Sequence, residues 1–213
     1  VGEMVYRNIK VFDHDARNPK DLVNIGITSH GTQVEVNRYA AEADKVVTLG
    51  VVQYHYFAGF CGGRKSILPG IAGYQTINQN HSLVLRRPPL TGKNPAATLG
   101  KLEGNPVNED MIEGAGLLGV DFSINLVVDR NESVLKVFAG DIIKSHRRGC
   151  DFLDSFFRVY LKEPVDCIIA SGGGYPTDIN YIQTHKTLEH CSKALKENGK
   201  MIVLAECAEG IGS

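Results

Sequence analysis

The chain has 213 residues, 43% of them hydrophobic and 22% charged, with a formal net charge of −1; such a composition is ordinary for a globular protein able to bury a core without disulfides or metal. Without a basic block or an acidic tail, it gives no footing for a nucleic-acid or membrane-surface role. Five widely spaced cysteines (Cys61, Cys150, Cys167, Cys191, Cys207) never form a CxxC pair, which argues against a disulfide framework or zinc cluster and for reduced thiols in the cytoplasm.

No apolar run approaches membrane-spanning length, and no signal peptide is visible. In chain order, IKVF (9–12), LVNIGI (22–27) and VEV (34–36) read as strands, RYAAEAD (38–44) as a short helix and KVVTLGVV (45–52) as a buried strand. A glycine-rich bend follows directly, and the stretch from Tyr74 to Leu85 reads as a helix carrying His81. Residues 86–104, rich in proline, glycine and lysine, read as an exposed loop. Asn105-Pro106 opens a helix through Leu118, with asparagine as cap and proline at the first helical position.

Residues 121–129 and 133–140 form an expected hairpin, and a long amphipathic helix is expected from about Asp141 to Leu161. VDCIIAS (165–171) then reads as a continuous apolar strand, 178–198 as a helix stopped by Gly199, and KMIVLAE (200–206) as the next strand. Strand, loop, helix and strand in that order predict a parallel pair. The fold class is therefore α/β in two parts: a mixed sheet in the N-terminal part and a Rossmann-like parallel βαβ start of a second domain. Ligands of such units bind beyond the carboxyl end of the strand, where Gly172 and Gly173 lie. Gln183 and Lys186, three residues apart near that end, share one helix face.

The bend HYFAGFCGGRKSILPG (55–70) places a lone lysine, Lys65, just after Gly62 and Gly63. Glycine lowers steric bulk and lets backbone approach a ligand. A lysine there is either a cation for an anion or an amine meant to react. GFCGGRKS nearly fits the phosphate-loop pattern but has Arg64 where the second motif glycine belongs. On composition alone, a surface lysine beside two hydrogen-bonded structural histidines, His55 and His81, is the favoured reading of the stretch.

The longer segments HYFAGFCGGRKSILPGIAGYQTINQNHS (55–82) and SGGGYPTDINYIQTHK (171–186) resemble the two signatures of the nickel-dependent lactate racemase family, and GTQVEVNRYAAEADKVVTLG (31–50) resembles it too. The resemblance implies an isomerase, a racemase or epimerase of a small 2-hydroxy acid. Its cofactor would be a nickel-pincer nucleotide, a pyridinium mononucleotide with two sulfur-bearing arms, joined to Lys65 as a thioamide and made by cofactor biosynthesis proteins. The same resemblance makes His81 the nickel ligand and His55 an acid/base group, and it aims Lys186 and Gln183 at the substrate carboxylate. Gly62, Gly63, Gly172 and Gly173 would border the cofactor. Nickel accepts imidazole and soft sulfur, and the near-neutral pKa of histidine suits proton transfer.

Residues 1–150 would then form part of a cofactor-tethering domain, and 151–213 the end of an interdomain helix and the start of a C-terminal α/β domain, with the active site in a cleft between the two. The family's other catalytic histidine belongs to an upstream segment that these residues do not contain. The chain is therefore expected to be the central portion of a longer protein and inactive alone. His30 reads as a loop residue, and His146 in SHRRG as part of a charged helix face. His185 and His190 have no metal-pair spacing. Cys61, where the family commonly has serine, reads as a small packed residue. The alternative from another class is a non-catalytic module that binds a phosphate or small acid through the glycine loops; a third is an oxidoreductase using the same tethered cofactor.

Overall fold

The computed structural model describes residues 2–86 and 88–212, which divide into two compact units, Val1–Asp154 and Ser155–Ser213. The first unit begins with helix α1 (Glu3–Asn8), followed by irregular chain. The expected strand at 9–12 is absent, and Ile9, Val11 and Phe12 are exposed. Four residues with no strand to pair with do not make a strand, since the ladder supplies the hydrogen bonds.

Strands β1 (Leu22–Ile27) and β2 (Gln33–Asn37) form an antiparallel pair, and Asn37 caps the short helix α2 (Arg38–Ala41) by accepting the Tyr39 N–H. Alternation sends Val34 and Val36 inward, where both are fully buried with Ile67 and Ala115. Strand β3 (Val47–Val51) pairs in parallel with β6 (Phe122–Val128), which pairs antiparallel with β7 (Val134–Gly140). The order β3-β6-β7 leaves β3 at an edge of this sheet. The expectation of a buried strand fails here: Val47 and Leu49 are 60% and 65% exposed. An unbroken apolar run does not reveal that only one of its faces is covered.

Two short strands, β4 (Tyr54–His55) and β5 (Gly59–Phe60), form a small antiparallel pair that leads into a 3-10 turn at Gly63–Ser66. Helices α3 (Tyr74–Ser82) and α4 (Pro106–Leu118) follow. Asn105 caps α4 by accepting the Val107 and Asn108 N–H groups, as its place before Pro106 predicts. The carboxylate of Asp110, fully buried on α4, accepts from Thr28 Oγ1, Thr32 Oγ1 and Asn80 Nδ2. One acidic side chain thus ties the β1–β2 turn and α3 to α4. The intervening loop is partly interior, since Ala97 is fully buried beside Phe57, Leu68 and Met111.

Helix α5 (Ile142–Phe157) buries Ser145, His146, Gly149, Cys150 and Leu153, a stripe at helical spacing. His146 is 4% exposed, so its assignment to a charged face is corrected. Arg147 and Arg148 occupy the outer surface, while His146 just before them turns inward with Gly149 and Cys150.

In the second unit β8 (Val165–Ser171) and β9 (Leu195–Leu204) pair in parallel around helix α6 (Tyr181–Cys191). This is the parallel pair expected from element order. The helix is shorter than expected, ending at Cys191 with a single 3-10 turn at Ser192–Ala194, and Leu195 already pairs with Val165. Ser192 Oγ donates back to the Glu189 carbonyl, a local bond that competes with helix continuation. No helix among the described residues is long and apolar enough to cross a membrane.

Candidate functional site

In the first unit the bend after β3 and helix α3 converge on one aromatic ring. Phe57, 8% exposed, meets His55 edge-on at a centroid distance of 4.5 Å and His81 edge-on at 5.1 Å. Lys65 Nζ lies 5.9 Å from the centroid of the same ring, within the reach of a cation–π attraction. Tyr56 stacks on His55 at 5.0 Å. Residues 55, 65 and 81, far apart in sequence, are thus brought together, with Phe57 as the shared wall. Sequence reading singled out the three and missed Phe57, because an aromatic in a glycine loop gives no periodic signal.

The electrostatics of this group favour a neutral imidazole at His81. Burial, and then the nearby Lys65 ammonium, lower its pKa to about 4. At neutral pH the ring therefore keeps a lone pair, the form that binds a metal. His55 Nδ1 accepts the Ala58 N–H at 3.2 Å. A neutral His55 ring in this arrangement carries its proton on Nε2 and is a donor there. Among the described residues no group of three or more His, Cys, Asp or Glu side chains is placed to hold a metal.

The glycines have protein neighbours of their own. At Gly62 (φ +84°) a Cβ would meet Asn125 Oδ1 at 3.1 Å, and at Gly63 (φ +52°) it would lie 2.8 Å from His146 Cβ. Both positions need glycine for backbone and space alike. In the second unit, a Cβ at Gly172 would lie 2.8 Å from Asp178 Cβ and one at Gly173 2.5 Å from Thr177 Oγ1. Gly62 and Gly63 are therefore accounted for by their packing against β6 and α5, and Gly172 and Gly173 by that of the turn at Thr177 and Asp178.

Also in the second unit, Asn180 caps α6 by accepting the Gln183 N–H. Lys186 Nζ donates to Gln183 Oε1, so these two side chains meet on one helix face. A lysine–amide pair leaves the Gln183 NH2 and the ammonium as donors for a carboxylate. His185 lies 3.9 Å from Glu189, and burial lowers the pKa of His190. His30 occupies the turn between β1 and β2, 4.0 Å from Glu109, on the wall of a cavity of about 570 Å³ that also includes Gln79, Ser82 and Arg86. Cys61 is a free, half-buried thiol whose backbone N–H donates to the Gln53 carbonyl.

A mixed α/β chain with several small sheets, a lysine and two histidines gathered at one ring, and a glycine loop leading to a capped helix is a defined class of arrangement, and it has relatives. A model of the lactate racemase N-terminal domain matches residues 1–91, and one of the lactate racemase C-terminal domain matches residues 161–213. The lactate racemase of Thermoanaerobacterium thermosaccharolyticum is 41% identical over 211 residues, which are 99% of this chain and 48% of that protein. The lactate racemase of Lactiplantibacillus plantarum is 37% identical over 213 residues, again 48% of its length.

The structure of the apoprotein from Thermoanaerobacterium thermosaccharolyticum superposes with a TM-score of 0.91, covering 100% of this chain and 49% of that one. A Thermotoga maritima protein, 17% identical with a TM-score of 0.58 over 79% of this chain, shares the fold alone. The chain belongs to the lactate racemase family, and it spans about half the length of the curated relatives it matches.

Proposed function

We propose that this chain carries the cofactor-tethering part, and one of the proton-handling groups, of a racemase or epimerase acting on lactate or a related 2-hydroxy acid. The observation that carries the reading is the convergence of His55, Lys65 and His81 on the Phe57 ring. Lys65 would tether a nickel-pincer nucleotide and His81 would ligate its nickel. The neutral imidazole suits that role, as does a donor set in which a single protein ligand is supplemented by sulfurs from the bound group. When bound, such a group supplies a hydride acceptor next to the substrate carbon.

The protein's own residues would do the rest. His55 Nε2–H would hydrogen-bond the substrate oxygen. To accept a proton, the ring must release the Ala58 N–H from Nδ1 or turn over, because a ring with both nitrogens protonated would face that N–H with another. Lys186 and Gln183 would hold the substrate carboxylate. We read residues 151–213 as the start of a Rossmann-like domain that supplies them, and residues 1–150 as part of the tethering domain. Phe57, Tyr56 and the core beside them would keep water from the reacting atoms.

The test uses protein from cells that build the pincer cofactor. Intact mass should show one adduct mapping to Lys65, absent in Lys65→Ala, with nickel bound in the parent and lost in His81→Ala. An unmodified Lys65 in the parent, produced alongside a full-length racemase that does acquire the adduct, sinks the proposal. Retention of a phosphate or small-acid ligand by a His55→Ala, His81→Ala double variant would instead identify a binding module.

A further inference from the structure

Within the 3-10 turn that carries Lys65 lies a buried charge that the proposed function does not use. Arg64, next to Lys65, is 2% exposed. Its Nη2 donates to the carbonyls of Ala58 (2.8 Å) and Phe60 (2.9 Å), and its Nη1 to that of Gly62 (3.2 Å). Its Nη1 also lies 2.8 Å from His146 Nε2 on α5. All four acceptors are neutral. Burial accordingly lowers the guanidinium pKa, to about 10, and a charge buried without an opposite partner is costly. What the arrangement achieves is local: one side chain closes the loop from Ala58 to Gly62 onto itself, just before Lys65.

His146 fixes the other side of that side chain. Its Nε2 is also 2.8 Å from the Cys61 carbonyl, and one nitrogen cannot accept from Arg64 and donate to Cys61 at once. The charged donor makes the stronger bond, so Nε2 accepts, and Nδ1 carries the proton. Gly63 exists in the form that permits this approach, since any side chain there would strike His146. Asn125 completes the seat: its Oδ1 accepts the Gly63 N–H at 2.8 Å, and its Nδ2 donates to Ser145 Oγ beside His146.

We propose that Arg64 is a positioning residue for Lys65, and that His146 locks it from helix α5, so that the amine is presented from one loop conformation. The inference rests on the reading of Lys65 as the tether for its meaning, and on the loop geometry for its substance. The experiment is trace acetylation of native protein prepared without cofactor, read by peptide mass at Lys65 against Lys136 as reference. His146→Leu removes the acceptor, His146→Gln restores one in Oε1, and Arg64→Lys keeps the charge but loses the fork. His146→Leu and Arg64→Lys should raise relative Lys65 labelling about threefold or more through local opening, while His146→Gln stays near the parent.

A structural role alone would be expected to leave His146→Gln no better than His146→Leu. Unchanged labelling in both disruptive variants, or no rescue by glutamine, overturns the clamp. If His146→Leu does not fold, Arg64→Lys against the parent carries the same comparison. A labelling response in protein whose Lys65 never acquires an adduct in cofactor-building cells would leave the clamp standing and remove the proposed function.

Discussion

Acid should destabilise this protein through His146 before most carboxylates begin to titrate. The ring is 4% exposed. Burial first, then the Arg64 charge, lower its pKa to about 3, against a smaller opposing pull from the Cys61 carbonyl. The folded state thus prefers the neutral ring. Above the unfolded value near 6.5 neither state holds the proton, and His146 contributes no pH dependence. As the pH falls below that value the unfolded chain gains a proton the folded chain does not, and stability is lost until the folded ring protonates near pH 3. At about pH 5 the loss amounts to about 2 kcal/mol, from the 1.36 kcal/mol carried by each pKa unit.

The assay is urea unfolding at about pH 7.5 and about pH 5 for the parent and His146→Gln, comparing the change between the two conditions in each protein. The variant should lose about 2 kcal/mol less than the parent over that interval. Any stability the glutamine costs at both pH values cancels in the comparison. Equal losses in the two proteins would refute the reasoning, because they would mean that the folded state does not keep the His146 ring from protonating at about pH 5.

Two substitutions test the scaffold around the site. Asn105 is fully buried, caps α4, and donates to the Phe57 carbonyl at 2.8 Å and the Lys101 carbonyl at 3.0 Å. Asn105→Ala removes the cap and orphans both carbonyls, and should cost about 2–4 kcal/mol in urea unfolding; a loss no larger than that of an exposed cap would mean the carbonyls find other donors. Gly59 (φ +79°) and Gly92 (φ +84°) share a left-handed backbone, but a Cβ at Gly59 would lie 2.2 Å from the Lys101 carbonyl oxygen, whereas at Gly92 it meets open space. Gly92→Ala should cost about 1–2 kcal/mol of backbone strain and Gly59→Ala clearly more; equal shifts in thermal melting would dismiss the steric contribution.

Where the chemistry is local, the sequence was a sufficient guide. Asn105-Pro106 names its helix start because cap and ring constraint act within three residues. The lysine and histidines of the 55–82 stretch stood out by motif, and the parallel β8–β9 pair by element order. Misreadings arose where burial depends on partners elsewhere in the chain. Leu49 and Val47 look interior in KVVTLGVV and are exposed at a sheet edge. His146 looks superficial beside Arg147 and Arg148, yet it falls in register with Gly149, Cys150 and Leu153 on the buried stripe; counting that period would have found it. Phe57 offered no such count. Its importance comes from what α3 and the 3-10 turn bring to it.

The buried carboxylate of Asp110 has a consequence for the alternatives this fold must reject. Helices α3 and α4 share one apolar cluster, to which α3 brings Ile77 and α4 brings Val107 and Met111, smooth contacts that tolerate sliding with little loss. Moving α3 one turn along α4 would keep much of that contact but carry Asn80 Nδ2 away from Asp110 Oδ2, now 2.8 Å distant. The fully buried carboxylate would then be left short of a donor, a penalty that hydrophobic contact alone cannot impose. Because Asn80 immediately precedes His81, the rule that fixes one helix against another also fixes where that imidazole can be. The acid thereby makes near-miss arrangements expensive and leaves one register for the residue beside it.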